Sequence, residues 1–257
     1  MDTHVVYEPA EEGALAGGDF YDLFRTTDGR WCFALGDVCG HGPEAAVVVG
    51  IVRPLLKILA EDGFSVPGLL NRLNRVLVDD SMPSVGITAV GNACREEDIK
   101  PVSLLYGELR SDSQGSLQCT LASAGHPMPL LLHAHGQVEH AAEPQLLLGV
   151  TEQSAYQSQS FVFKPGDTLL CVTDGVTEKR SGLRQFDDEE GLSRVLSSCV
   201  GLGAAGVAEL IRQAVHSFGD AAPQDDLALL VLQARQPSEV LKQESLRAIV
   251  TPQSVVA

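Results

Sequence analysis

Four aspartates share one placement in this sequence: each lies where an apolar run begins or ends. Asp19 follows Gly17-Gly18 in GGDFYDLF, Asp37 closes WCFALGD, Asp174 closes TLLCVTD, and Asp225 opens DDLALLVL. Taken singly, each reads as a turn or cap residue. Gathered at strand ends, they make a site for hard cations. Four converging carboxylates with no cation among them would repel one another until some stayed protonated. Two divalent ions would balance the four charges, and oxygen-only donors suit Mg²⁺ or Mn²⁺, whereas zinc recruits His or Cys. A metal pair of this kind readies water for in-line attack on a phosphoryl group. Phosphate-monoester hydrolysis is among the slowest uncatalysed reactions, so charge neutralisation has much to contribute.

The composition sets the background for that chemistry. The 257 residues carry 34 acidic against 18 basic side chains, a formal charge of −16, so the long-range field repels nucleic acid and anionic lipid. An anionic substrate therefore needs local positive charge. Apolar residues make up 44% and charged residues 20%, as expected of one large globular domain with a substantial core. The six cysteines, Cys32, Cys39, Cys94, Cys119, Cys171 and Cys199, form no CxxC pair and read as buried reduced thiols of a cytoplasmic protein. No N-terminal signal pattern and no apolar run of about 18 residues points to export or to a membrane span.

The elements that must position the aspartates follow from pattern. HVVYE reads as a first strand. GGDFYDLF and WCFALGD read as two strands around a turn holding Asp28-Gly29. A two-residue loop there would pair Asp19 with Val38. A three-residue loop with Gly29 left-handed would set Asp19 opposite Asp37 on one face, and this is the register predicted. PEAAVVVGIVRPLLKILAEDG predicts a helix with Pro43 in its first turn, and SVPGLLNRLNRVLVDD a second whose Leu69, Leu70, Leu73, Val76 and Leu77 repeat at core spacing. From Ser81 to Pro101 the periodicity lapses into a long loop. Strands resume at VSLLYGEL, SLQCTLASAG, PMPLLLHAHG, QSFVFKP and DTLLCVTDG. Two helices near EEGLSRVLSSCV and AAGVAELIRQAVHSFG then precede a last strand, DLALLVLQA. Strands that outnumber helices and meet through short turns predict an α+β fold with antiparallel sheets covered by helices. The domain is expected over 1–235, with 236–257 a polar tail, disordered or carrying a short helix.

The ordered motifs GGDFYD, GDVCGHG, SAGHPMPLLL, LLLGV, TDGVTE and QDDLALLVL, spread from about Val5 to Ala234, resemble the PPM-type metal-dependent serine/threonine phosphatases. The branch they resemble is the bacterial SpoIIE/RsbU one, related to the type 2C protein phosphatases. The resemblance implies an αββα sandwich of two antiparallel sheets flanked by helices, with two Mn²⁺ or Mg²⁺ ions at one edge. It implies Asp37 as bridging carboxylate, Val38 as a carbonyl ligand, Asp19 as support of the same metal directly or through water, and Asp174 and Asp225 as ligands of the other metal. Asp37 and Asp174 would act through metal-activated water, Gly175 and Asp226 would shape the site, and Asp22 would face solvent or a helix end.

The substrate implied is phosphoserine or phosphothreonine on a STAS-domain anti-anti-sigma factor. Its dephosphorylation lets that partner capture an anti-sigma kinase and so frees a sigma factor. A homodimer is compatible with the resemblance, and the two helices after Pro43 resemble switch elements for upstream control. Two features depart from the pattern: the chain begins at the first strand, without the helix and LLP-like segment often found upstream, and 82–100 reads as an insertion. His41 is read as shaping its loop, since Cys39 stands where the eukaryotic enzymes have their proposed acid. His126 is read as structural, and His133, His135 and His140 as a solvated hairpin. Glu178 and Arg180 follow the TDG turn closely enough to meet a substrate. The competing readings are a catalytically silent module of the same fold that binds a STAS or kinase-like partner, and a hydrolase of small phosphate esters.

Overall fold

A computed structural model describes residues 1–10, 18–40, 42–78, 100–111, 116–219 and 225–234. The chain builds two five-stranded antiparallel sheets. The first orders β1 (Asp2–Glu8), β12 (Leu227–Gln233), β9 (Thr168–Val172), β6 (Leu130–Leu132) and β7 (Val138–His140). The second orders β2 (Phe20–Arg25), β3 (Trp31–Val38), β4 (Val102–Ser111), β5 (Leu117–Ala124) and β8 (Gln159–Phe163). Helices α1 (Pro43–Glu61) and α2 (Val66–Val78) cover the second sheet. Helices α4 (Gly191–Ser197) and α5 (Ala204–Ser217) cover the first. A one-turn helix α3 (Asp174–Thr177) and a small hairpin of β10 (Arg180–Ser181) and β11 (Arg184–Gln185) complete the described elements.

Strand alternation sorts the core into three slabs. On β3, Cys32 and Ala34 face α1 and α2, while Phe33 and Leu35 face the other sheet. On β9, Leu170 and Val172 meet α4 and α5, while Leu169 and Cys171 meet Phe33 and its neighbours. Strands buried on both faces must be apolar at successive positions, which is why FALG and LALLVL read as unbroken runs. The αββα sandwich implied by the resemblance is the architecture observed.

The β2–β3 turn has the predicted register. Thr26 N–H donates to the Arg30 carbonyl (2.9 Å), leaving a three-residue loop whose Gly29 has φ +92°. Pairing runs from Arg25 opposite Trp31 to Phe20 opposite Gly36, and one further step puts Asp19 across from Asp37. Leu69, Leu70, Leu73 and Leu77 are buried in the slab under α1. Asp22 departs from expectation. It lies on the same side of β2 as Phe20 and Phe24, is 7% exposed, and binds Arg53 Nε and Lys57 Nζ of α1, each at 2.8 Å. Facing the helix layer, a carboxylate survives burial only because two cations reach it. Cys39 also departs: it is exposed, whereas Cys32, Cys119, Cys171 and Cys199 are buried free thiols. Cys94, His41, nearly all of 82–100 and the tail 236–257 lie outside the described residues. Among the described residues, no helix is long and apolar enough to cross a membrane.

Candidate active site

Three chain segments deliver carboxylates to one spot. Asp19 precedes β2, Asp37 sits at the end of β3, and Asp174 opens α3 directly after β9. One carboxylate oxygen from each lies within 4.8 Å of the others. Gly18 makes the approach possible, since a Cβ there would collide with Asp37 Oδ1 and with the Val38 carbonyl oxygen. That shared collision also shows that the Val38 carbonyl and the Asp37 carboxylate border the same space. Gly175 plays the matching part on the other sheet, where a Cβ would collide with the Asp226 carbonyl.

The cluster is short of positive charge. Among the described residues, both oxygens of Asp19 and Oδ1 of Asp174 are buried without a hydrogen-bond partner. Burial, followed by the charge of Asp37, pushes the Asp19 carboxyl up to about 9. Burial, then Asp174 and Asp225, pushes Asp37 up to about 7. Asp174 is raised by burial and then by Asp225 and Glu178. Unpartnered buried carboxylate oxygens converging from separate strands are what a hard cation would satisfy, so these residues fit divalent metal ions.

Asp225 contributes its charge to Asp37 and Asp174 but stands outside the three-carboxylate group, with Oδ1 accepting from the Asp226 backbone N–H (2.9 Å). Asp226 is committed to the frame. It accepts the Tyr7 hydroxyl (2.7 Å) and the Ala10 backbone N–H (2.8 Å), tying β1 to the start of β12. Tyr7 is a residue that sequence reasoning missed, as is Thr173. Thr173 N–H donates to the Ala228 carbonyl (3.1 Å) and its Oγ1 accepts the Ala228 N–H (3.0 Å), so β9 and β12 end side by side and bring Asp174 near Asp225. The threonine of TDG was the available signal.

Among the histidines, His126 is 4% exposed, shares a 2.8 Å hydrogen bond between Nδ1 and Ser103 Oγ, and takes the Ser123 hydroxyl on its carbonyl (2.7 Å). Burial lowers it to about 3, so it stays neutral and structural. His133 and His135 stack at 5.2 Å beside the β6–β7 hairpin, where His133 Nε2 meets Glu139 at 3.0 Å. Glu178 and Arg180 are exposed just beyond α3.

The family model of Stage II sporulation protein E (SpoIIE) matches residues 27–235. The chain belongs to the SpoIIE family. Protein IcfG of Synechocystis sp. is 26% identical over 244 residues, covering 89% of this chain and 37% of the relative. Phosphoserine phosphatase RsbU of Bacillus subtilis is 24% identical over 236 residues, covering 91% of this chain and 64% of the relative. The chain thus spans between about a third and two thirds of these curated relatives. The solved RsbU and RsbW domains of Rv1364c from Mycobacterium tuberculosis superpose with a TM-score of 0.72 at 28% identity, covering 92% of this chain and 60% of that one. Fold, motif order and relatives agree on a PPM-type phosphatase domain of the SpoIIE/RsbU branch.

Proposed function

We propose that this SpoIIE-family domain hydrolyses phosphoserine or phosphothreonine on a protein, with Asp19, Asp37, Asp174, Asp225 and the Val38 carbonyl holding two Mn²⁺ or Mg²⁺ ions. The observation that carries this reading is the convergence of three carboxylates, of which both Asp19 oxygens and Asp174 Oδ1 are buried with no hydrogen-bond partner among the described residues. When bound, the ions would supply charge neutralisation and an activated water. The chain's own residues hold the frame for this. Gly18 lets the β2 entry lie against Asp37, Thr173 seats Asp174 beside Asp225, and Tyr7 with Asp226 fixes the edge of the first sheet.

The substrate proposed is a phosphorylated STAS-domain protein of a cytoplasmic partner-switching pathway, in keeping with the branch and with the name phosphoserine phosphatase carried by RsbU. An outward stripe on α1, with Val47 41%, Ile51 39% and Ile58 56% exposed, supports a homodimer packed along that helix. The test is phosphate release from a phosphorylated STAS partner with and without Mn²⁺. Asp37→Ala and Asp174→Ala should each cost about 10³-fold or more in turnover, on the scale of losing a main electrostatic contributor, while circular dichroism stays native. Metal-independent turnover, or full activity in both variants, would sink the reading.

A further inference from the structure

A phosphoprotein approaching the cluster still meets the charges of Asp225, Asp226 and Glu178 around it, so the chain's own cations near the rim matter. Lys100 stands there. Val38 pairs with Val102 and Asp37 with Ser103, so the same register carried outward sets Lys100 across from Gly40. The Cys39 N–H donates to the Pro101 carbonyl (3.0 Å), which fixes the backbone next to Lys100 against the segment that carries Asp37 and Val38. Gly40, at φ +94°, leaves its outer side bare, and the lysine occupies it: a Cβ there would stand 3.0 Å from Nζ. The Gly40 carbonyl oxygen in turn lies 3.1 Å from where a Gly18 Cβ would stand, beside Asp37 Oδ1 and the Val38 carbonyl, so the glycine that the ammonium covers borders the cluster.

What holds Lys100 is weak and replaceable. Its Nζ meets Glu44 Oε2 at 3.1 Å, and the Glu44 side chain is 72% exposed. A solvent-facing pair of this kind is worth little and exchanges readily for a better anion. A phosphoryl dianion at the cluster would be that anion, through a charge-assisted hydrogen bond.

We infer that Lys100 is a substrate-binding residue whose ammonium leaves Glu44 to grip a phosphoryl oxygen of the phosphoserine or phosphothreonine at the acidic cluster. The inference rests on the proposed phosphatase reading of that site. Its role is to bind and orient the substrate, so it acts on KM more than on kcat.

The experiment compares wild type, Lys100→Met, Lys100→Arg and Glu44→Gln, each loaded with Mn²⁺. KM and kcat are measured on p-nitrophenyl phosphate and on a phosphoserine peptide, and inorganic phosphate and Mn²⁺ binding are measured by calorimetry. Lys100→Met should raise KM and the phosphate Kd about tenfold or more, as loss of one charge-assisted contact would, with kcat within about threefold and Mn²⁺ affinity unchanged. Lys100→Arg should recover most of the loss, and Glu44→Gln should bind phosphate as tightly as wild type or more tightly. The inference is overturned if Lys100→Met binds phosphate within about twofold of wild type. It is equally overturned if Glu44→Gln weakens binding as much as Lys100→Met, because the ion pair itself would then be what matters. A wild type that turns over no phosphoester would count against the phosphatase reading, while phosphate calorimetry would still decide the role of Lys100.

Discussion

Carboxylates gather at both ends of the β2–β3 hairpin and are treated in opposite ways, with Asp28 and Glu108 of the neighbouring β4 at the closed end. At the closed end Arg30, 3% exposed, binds Asp28 (2.8 Å), Glu108 (2.7 Å) and the Ala60 carbonyl (2.6 Å), and Tyr106 donates to Glu108 (3.1 Å). There the chain supplies its own cation and every partner. At the open end Asp19 and Asp37 meet Asp174, and none of the three has an ion-pair partner among the described residues. The same two strands therefore carry a closed structural network and an incomplete one. Buried carboxylates without a counter-charge are costly, and under the proposed function it is the metal ions that would offset that cost at the open end.

Breaking the closed end should be the larger injury to stability. Glu108→Ala takes from the buried Arg30 guanidinium the carboxylate on its Nη1, leaving it Asp28 and the Ala60 carbonyl, and should cost about 3 kcal/mol in chemical denaturation. At the open end the sign reverses. In chelator, Asp37→Asn removes a like charge from the cluster and should leave stability unchanged or raised. If both substitutions destabilise alike in chelator, the two ends are not the opposites described.

The next effect sharpens the same contrast. A ligand that binds the native state at 100 times its Kd stabilises it by about 2.7 kcal/mol, so Mn²⁺ should raise the Tm of wild type by that linkage. The rise should vanish in Asp37→Asn, and Glu108→Ala, once folded, should keep it. An equal shift in wild type and Asp37→Asn would show that the ions bind elsewhere.

How much of this was legible in the sequence depended on the range over which each signal acts. Asp28-Gly29 is a local turn signal, and it set the register that faces Asp19 toward Asp37. Asp22 was misread, although its period of two with Phe20 and Phe24 put it on an apolar face; its partners Arg53 and Lys57 sit on another element. Periodicity shows that such a residue needs a partner but not where the partner lies. Tyr7 and Asp226 are 219 residues apart, beyond any pattern. Between the adjacent Asp225 and Asp226, nothing local tells which is committed to the frame. Elements as short as β7, β10, β11 and α3 span two to four residues, too few for a pattern to repeat and announce them.

A third buried titratable group lies just behind the open end. Ser103, opposite Asp37, holds His126, which has no counter-charge and is pushed by burial down to about 3. Because its folded value lies below the ordinary 6.5, the unfolded chain takes up the proton first as pH falls. Its contribution to stability is therefore complete above about pH 7 and lost on acidification, by about 2 kcal/mol at pH 5. Denaturation of wild type and His126→Gln at pH 7.5 and pH 5 should differ by that amount in slope. Parallel curves would mean that His126 gains a proton in place, without unfolding.

The smallest expected effect belongs to the case between the two ends. Asp22 is buried like Asp19 but compensated like Asp28, and its cations, Arg53 and Lys57, are 44% and 45% exposed. Burial works against the charged form, yet the hydrogen bonds from Arg53 and Lys57 hold its carboxyl below the ordinary range. Its stabilisation is therefore present at neutral pH and lost as pH falls through that depressed value. Asp22→Asn leaves two cations that can turn to water, so the cost at pH 7 should be about 1 kcal/mol and should shrink in 1 M salt. The cost of Glu108→Ala, out of reach of counterions, should hardly change with salt. A salt-independent loss in Asp22→Asn would move this position to the closed class and leave the open end as the place on the hairpin where the chain relies on charge from outside.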